Sequence, residues 1–155
     1  MILYSSVEER GERLIIDGFG RMDCNKMVVH SGGCHCKRIR WEVKAGSSVT
    51  AWDCNCSNCS MRGNTHFTVP SQHFKLLGES DKFITTYTFG THTANHTFCK
   101  VCGITSFYHS RSTPDGVSVS FRCVDPGTLD HVQINKFDGA NWEQAHHLHH
   151  SLSKN

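Results

Sequence analysis

The sequence predicts a mainly β protein: bent antiparallel sheets in a β-sandwich-like arrangement, with one short C-terminal helix. Three observations carry this. From about residue 27, short segments rich in β-branched and aromatic residues recur along the chain. Gly, Pro, Ser and Asp punctuate them, and "TPDG" at 113–116 is a turn signal in which Pro114 pre-sets the backbone. No alternation of strand and helix patterns points to a parallel sheet.

The elements follow in order. "RIRWEVKA" sets Ile39, Trp41 and Val43 against polar neighbours, the pattern of a half-buried strand. "HFTVP", "HFKLLG", "FITTYTFG", "ITSFYHS", "GVSVSFRCV" and "VQINKFDG" read as strands for the same reasons. In "DGANWEQAHHLHHS", Trp142, Ala145, Leu148 and His149 share one helical face, with Asp138 or Asn141 as cap. Within the first 20 residues, "SVEERGERL" fits a short helix weakened by Gly11, and "LIIDGFG" fits an edge strand. Trp41, Trp52 and Trp142 are expected in the core or at its edge. His146, His147, His149 and His150 are expected on a solvated tail.

The totals narrow the function classes. At 155 residues and 37% hydrophobic, the chain has material for one core. No apolar run approaches the ~20 residues of a membrane span, and the mixed charges of "MILYSSVEERGERLIID" are not a secretory leader. The expected setting is therefore intracellular, cytoplasmic or nuclear, with no membrane partner. A formal charge of +2 with scattered basic residues gives no grip on a phosphate backbone, so direct nucleic-acid binding is not expected. In a reducing compartment, nine cysteines read as metal ligands or reactive thiols rather than disulfides.

Seven of those cysteines fall into three groups: "GGCHC" (Cys34, Cys36), "DCNCSNC" (Cys54, Cys56, Cys59) and "FCKVCG" (Cys99, Cys102). Cys24 and Cys123 stand alone and are expected to be unligated thiols. Tetrahedral zinc with ~2.3 Å bonds to sulfur needs sulfurs roughly 3.8 Å apart. Alternate residues on a flat strand sit ~7 Å apart, so a C-x-C pair must lie at a bend. Gly32 and Gly33, just before Cys34, are the expected source of that bend. One C-x-C pair and one C-x-x-C pair make a four-thiolate structural zinc site from Cys34, Cys36, Cys99 and Cys102.

Cys54, Cys56 and Cys59 then have no fourth cysteine. Three protein ligands and an open position is the arrangement of a catalytic zinc. A histidine such as His35, His66 or His96 would instead close the site. A redox C-x-x-C would call for a strand–helix–strand setting that this pattern lacks. Two Zn²⁺ ions and seven thiolates would take the formal +2 to about −1, which again disfavours nucleic acid.

With "HFTVP", "FKLLG", "ITTYTFGTHTANHTFCKVCGITSFYHSRS" and "WEQAH", these three motifs resemble the glutathione-dependent formaldehyde-activating enzyme family, and within it the centromere protein V-like branch. The resemblance covers about residues 28–147. It implies an N-terminal extension over 1–27, a zinc-binding domain of that family over 28–147 and a tail over 148–155. It implies bent antiparallel sheets stapled by zinc, and two Zn²⁺ per chain. Cys34, Cys36, Cys99 and Cys102 match the structural ligands, and Cys54, Cys56 and Cys59 the catalytic ones. The implied activity is carbon–sulfur lyase chemistry on a glutathione-like thiol and an aldehyde, as in S-(hydroxymethyl)glutathione. The centromere-protein branch also implies an alternative, a non-enzymatic zinc module associated with chromatin or the cytoskeleton.

For proton transfer, His66 and His96 have suitable intrinsic pKa values, and His66 is the candidate carried forward. Arg62, Lys100, Arg111 and Arg122 are candidates for meeting substrate carboxylates.

Overall fold

The computed structural model describes residues 26–152, the last five by their backbone alone. The elements expected within the first 20 residues, and Cys24, lie outside the described residues.

Among the described residues, ten strands form three sheets. The first has order β1 (Met27–Gly33), β2 (Arg40–Gly46), β5 (Phe74–Leu77). The second has order β10 (His131–Phe137), β3 (Ser48–Cys54), β4 (Thr65–Pro70), β9 (Gly116–Ser120), β8 (Phe107–Tyr108). The third pairs β6 (Ile84–Tyr87) with β7 (His96–Cys99). Helix α1 (Ser57–Arg62) follows β3, and α2 (Trp142–Leu152) follows β10. The mainly β expectation holds, and so does the C-terminal helix. The seven segments read as strands each contain one, and the turn at 113–116 closes with Gly116 N–H donating to the Thr113 carbonyl at 3.0 Å.

Alternation explains the core. Ile39, Trp41 and Val43 are all buried, and Phe67, Val69, Phe107, Val117 and Val119 meet them from the second sheet. The Trp41 indole N–H donates to the Ser106 hydroxyl at 3.1 Å, so its polar atom is satisfied inside. His30, fully buried, has both ring nitrogens occupied by the Thr128 hydroxyl (2.8 Å) and the Gly46 carbonyl (3.1 Å).

Two features depart from the sequence reading. β10 runs parallel to β3, pairing Phe137 with Cys54 and Asn135 with Trp52. The other named strand pairings are antiparallel. A distant strand can join in parallel because the intervening chain supplies a long crossover. The second concerns "GGC". Gly32 and Gly33 do not bend; both remain in β1, paired with Trp41 and Arg40. They are glycines because a Cβ at Gly32 would overlap the Trp41 ring, and one at Gly33 would overlap the Ile39 carbonyl oxygen. The bend comes later, at Lys37, whose φ of 62° is left-handed.

Candidate metal centres and the cleft

The seven grouped cysteines assemble into the two sets the motifs imply. The sulfurs of Cys34, Cys36, Cys99 and Cys102 lie within 4.8 Å of one another, and so do those of Cys54, Cys56 and Cys59.

In the four-cysteine set, Cys34 leaves the end of β1 and Cys99 ends β7. Cys34 to Cys36 is 3.5 Å and Cys36 to Cys99 is 3.6 Å between sulfurs. These are edge lengths of a tetrahedron of sulfurs around a zinc-sized ion. Backbone N–H groups point at the sulfurs, Ile39 to Cys34 at 3.3 Å and Val101 to Cys99 at 3.4 Å. Gly103, at φ 74°, turns the chain so that its N–H donates to the Cys99 carbonyl at 2.8 Å. Burial pushes the Cys34 thiol up to about 12. Burial also acts upward on Cys102, but hydrogen bonds from the Cys36 and Ile104 backbone and from neighbouring thiols bring it down to about 6. Four sulfurs this close cannot all ionise without a cation between them, and they can hold a metal ion.

The three-cysteine set is built within one strand-to-helix turn. Cys54 ends β3, Cys56 is the N-cap of α1, and Cys59 is buried on the helix. Cys59 N–H donates to the Cys56 sulfur at 3.4 Å, the role a Ser or Asp usually fills at a cap. Thiols of Cys54 and Cys59 and the Cys59 and Asn58 backbone N–H groups converge on Cys56, and its pKa falls to about 2. The thiol of Cys54 is pushed up mainly by its hydrogen bond with Cys56, and that of Cys59 by its hydrogen bonds with both neighbours and by burial. One thiolate is thus shared by three sulfurs, a donor set that also fits a cation. Among the described residues, no histidine or carboxylate joins this set within 4.8 Å. His35 is exposed at the other set, while His66 and His96 line the cleft that the three cysteines face.

That cleft has a volume of about 780 Å³ and takes in Cys54, Cys56 and Cys59 but none of the other four. One wall is a stack of rings. Phe89 to His96 and His96 to Tyr108 are each 5.2 Å between centroids, and His66 meets Tyr108 edge-on at 5.0 Å. The Tyr108 hydroxyl lies 2.8 Å from His66 Nε2. Burial lowers the His66 pKa to about 4, so its ring is neutral near pH 7. Burial, and then the Arg62 cation, lower that of His96. Burial, with the nearby cysteine sulfurs, raises the Tyr108 phenol well above its usual value.

The opposite wall comes from the parallel pair. Asn55, inside "DCNC", accepts from Ala140 N–H (2.8 Å) and donates to Asp138 (2.9 Å), and Lys136 pairs with Asp53. This clasp brings Gly139 so close that a Cβ there would overlap the Cys54 sulfur. It also carries α2 over the cleft. Trp142 and His146 stack at 4.3 Å and line it, rather than sitting in the core or on a solvated tail. Of the four candidate cations, only Arg111 lines the cleft, 3.7 Å over the Trp142 ring and paired with Glu143. Arg62, the last residue of α1, turns to Asn58 and the Phe98 ring, Lys100 lies over Phe83 and Arg122 over Phe121. Sequence reasoning had no signal for Tyr108, Asn55 or Gly139, because each is defined by a partner far along the chain.

Fold and site together define a β-sheet protein with two thiol-rich centres able to hold metal, one of them facing a cleft. Residues 29–144 match the family described as glutathione-dependent formaldehyde-activating enzyme, and the chain belongs to that family. A crystal structure of a Rhodobacter sphaeroides protein is similar at 31% identity, with a TM-score of 0.56, over 68% of this chain and 99% of that one. No helix among the described residues is long and apolar enough to cross a membrane.

Proposed function

We propose that this chain is a zinc-dependent carbon–sulfur lyase-type enzyme of the centromere protein V-like branch, acting on a thiol–aldehyde adduct such as S-(hydroxymethyl)glutathione. The observation that carries this reading is the asymmetry of the two cysteine sets: three sulfurs face a cleft of about 780 Å³ and four do not. Cys34, Cys36, Cys99 and Cys102 would hold a structural Zn²⁺. Cys54, Cys56 and Cys59 would hold a second one and leave its fourth position to substrate. A zinc ion so held supplies a site that lowers the pKa of a bound thiol or polarises an oxygen.

The chain's own residues do the rest. Arg111 offers a cation to a substrate carboxylate, held in place by Glu143 and the Trp142 face. His66, neutral and bonded to Tyr108, orients that phenol and does not serve as a cationic acid. Phe89, Tyr108 and Trp142 exclude water from the adduct. Residues 28–147 form the working unit, in an intracellular setting where a glutathione-like thiol is available.

The test is zinc per chain, by elemental mass spectrometry on native protein, in wild type and Cys56→Ser. Two zincs falling to one with the fold intact, and with loss of glutathione–formaldehyde turnover, is the expected result. One zinc in both proteins would sink the reading and favour a non-enzymatic zinc module.

A further inference from the structure

His96 is fixed by a chain of hydrogen bonds whose direction can be worked out atom by atom. The Arg62 guanidinium can only donate. Its Nε donates to Asn58 Oδ1 at 3.0 Å, so the amide oxygen of Asn58 faces the arginine. The amide nitrogen therefore faces the other way, toward His96 Nδ1 at 3.2 Å. An amide NH₂ donates and does not accept, so Nδ1 is an acceptor. A neutral imidazole that accepts at one nitrogen carries its proton on the other. Arg62 is itself anchored, donating to the Thr105 hydroxyl at 2.7 Å and lying 5.2 Å over the Phe98 ring. Stacking between Phe89 and Tyr108 fixes the plane of the imidazole, and the bond from Asn58 fixes which edge of the ring faces the amide. Nε2 has no hydrogen-bond partner among the described residues, and His96 lines the cleft beside the three cysteines.

We propose that His96 presents a fixed Nε2–H donor to the oxygen of the bound thiol–aldehyde adduct, with Asn58 and Arg62 as positioning residues. The inference rests on the lyase reading above. In the cleavage direction the adduct hydroxyl gives its proton to solvent. The oxygen's electron pair then becomes the second bond of the aldehyde carbonyl, and the C–S pair leaves with sulfur as thiolate. Negative charge passes through that oxygen in either direction, and a pre-aimed N–H stabilises it without giving up its proton. His66 cannot fill this role, because its ring is turned to the Tyr108 hydroxyl.

The test is tautomer-resolving proton–nitrogen correlation NMR on zinc-loaded protein with ¹⁵N-labelled histidine, together with steady-state kinetics. Wild type should show the His96 proton on Nε2. In Asn58→Asp, a carboxylate that only accepts should draw it to Nδ1. His96→Phe keeps the ring stack and loses the donor; its kcat should fall roughly 100-fold, the loss seen when one such donor is removed. Zinc should stay at two per chain in both variants. A wild-type proton on Nδ1, or an undiminished kcat in zinc-replete His96→Phe, overturns the proposal alone. A wild type that turns over no thiol–aldehyde adduct overturns the lyase reading and this proposal with it.

Discussion

The two cysteine sets could each hold a metal ion, and sequence separation is what divides them. The four-cysteine set joins the end of β1 to the end of β7, with Cys36 and Cys99 63 residues apart and touching at 3.6 Å. It ties two sheets together and lies away from the cleft. The three-cysteine set spans one turn of chain from Cys54 to Cys59 and ties nothing distant by itself. Closing a long loop constrains the unfolded chain far more than closing a short one. The proposed reading follows this division: the long-range set is the structural device, and the local set that lines the cleft is left for chemistry.

The strongest way to break this comparison is Cys99→Ser. Loss of the long-range site should cost at least ~5 kcal/mol, enough to unfold a domain of ordinary stability. Thermal unfolding and zinc content would show it. A folded Cys99→Ser protein holding one zinc would mean the sheets are joined without the metal.

Acid probes the cleft wall separately. His66 titrates at about 4 in the fold against 6.5 when free. Between those values the unfolded chain binds a proton the folded one does not. Stability is therefore full above pH 6.5 and falls as the pH drops toward 4, by on the order of 3 kcal/mol. Urea unfolding of His66→Gln should lack that component. An identical pH profile in the variant would show that burial of His66 does not set it.

A subtler substitution separates the sites by affinity. Gly139→Ala pushes a Cβ into the Cys54 sulfur and touches nothing in the other set. The second zinc should bind about 10- to 100-fold more weakly in chelator competition, while the first is unchanged. Equal weakening of both would contradict their independence.

The smallest effect sits beside the four-cysteine set. Lys37→Gly removes a left-handed side-chain residue at φ 62° and should stabilise by up to ~1 kcal/mol. A lower melting temperature would mean the Lys37 side chain contributes more than its backbone costs.

What was legible in the sequence was what is local. The C-x-C and C-x-x-C spacings announced both sulfur sets, and the alternation of Ile39, Trp41 and Val43 announced a buried face. The parallel partnership of β10 with β3 left no mark, because register between distant strands is written in neither one alone. The same limit hid the Asn58 relay: "SNC" shows an asparagine, but its partners Arg62 and His96 acquire meaning only when β7 is laid beside α1. Gly33 was recognised as special for the wrong reason, since sequence displays the missing side chain and not the carbonyl that needs the space.

The parallel pair also sets an order in time. Asn55 and the Asp138 that clasps it are 83 residues apart. At ordinary ribosomal speeds that is roughly 4 to 17 s of synthesis. The three thiols emerge first, and the wall bearing Gly139 and Trp142 is added over them afterwards. A metal ion can therefore reach the sulfurs from open solution while the chain is being made, before the finished protein narrows the approach.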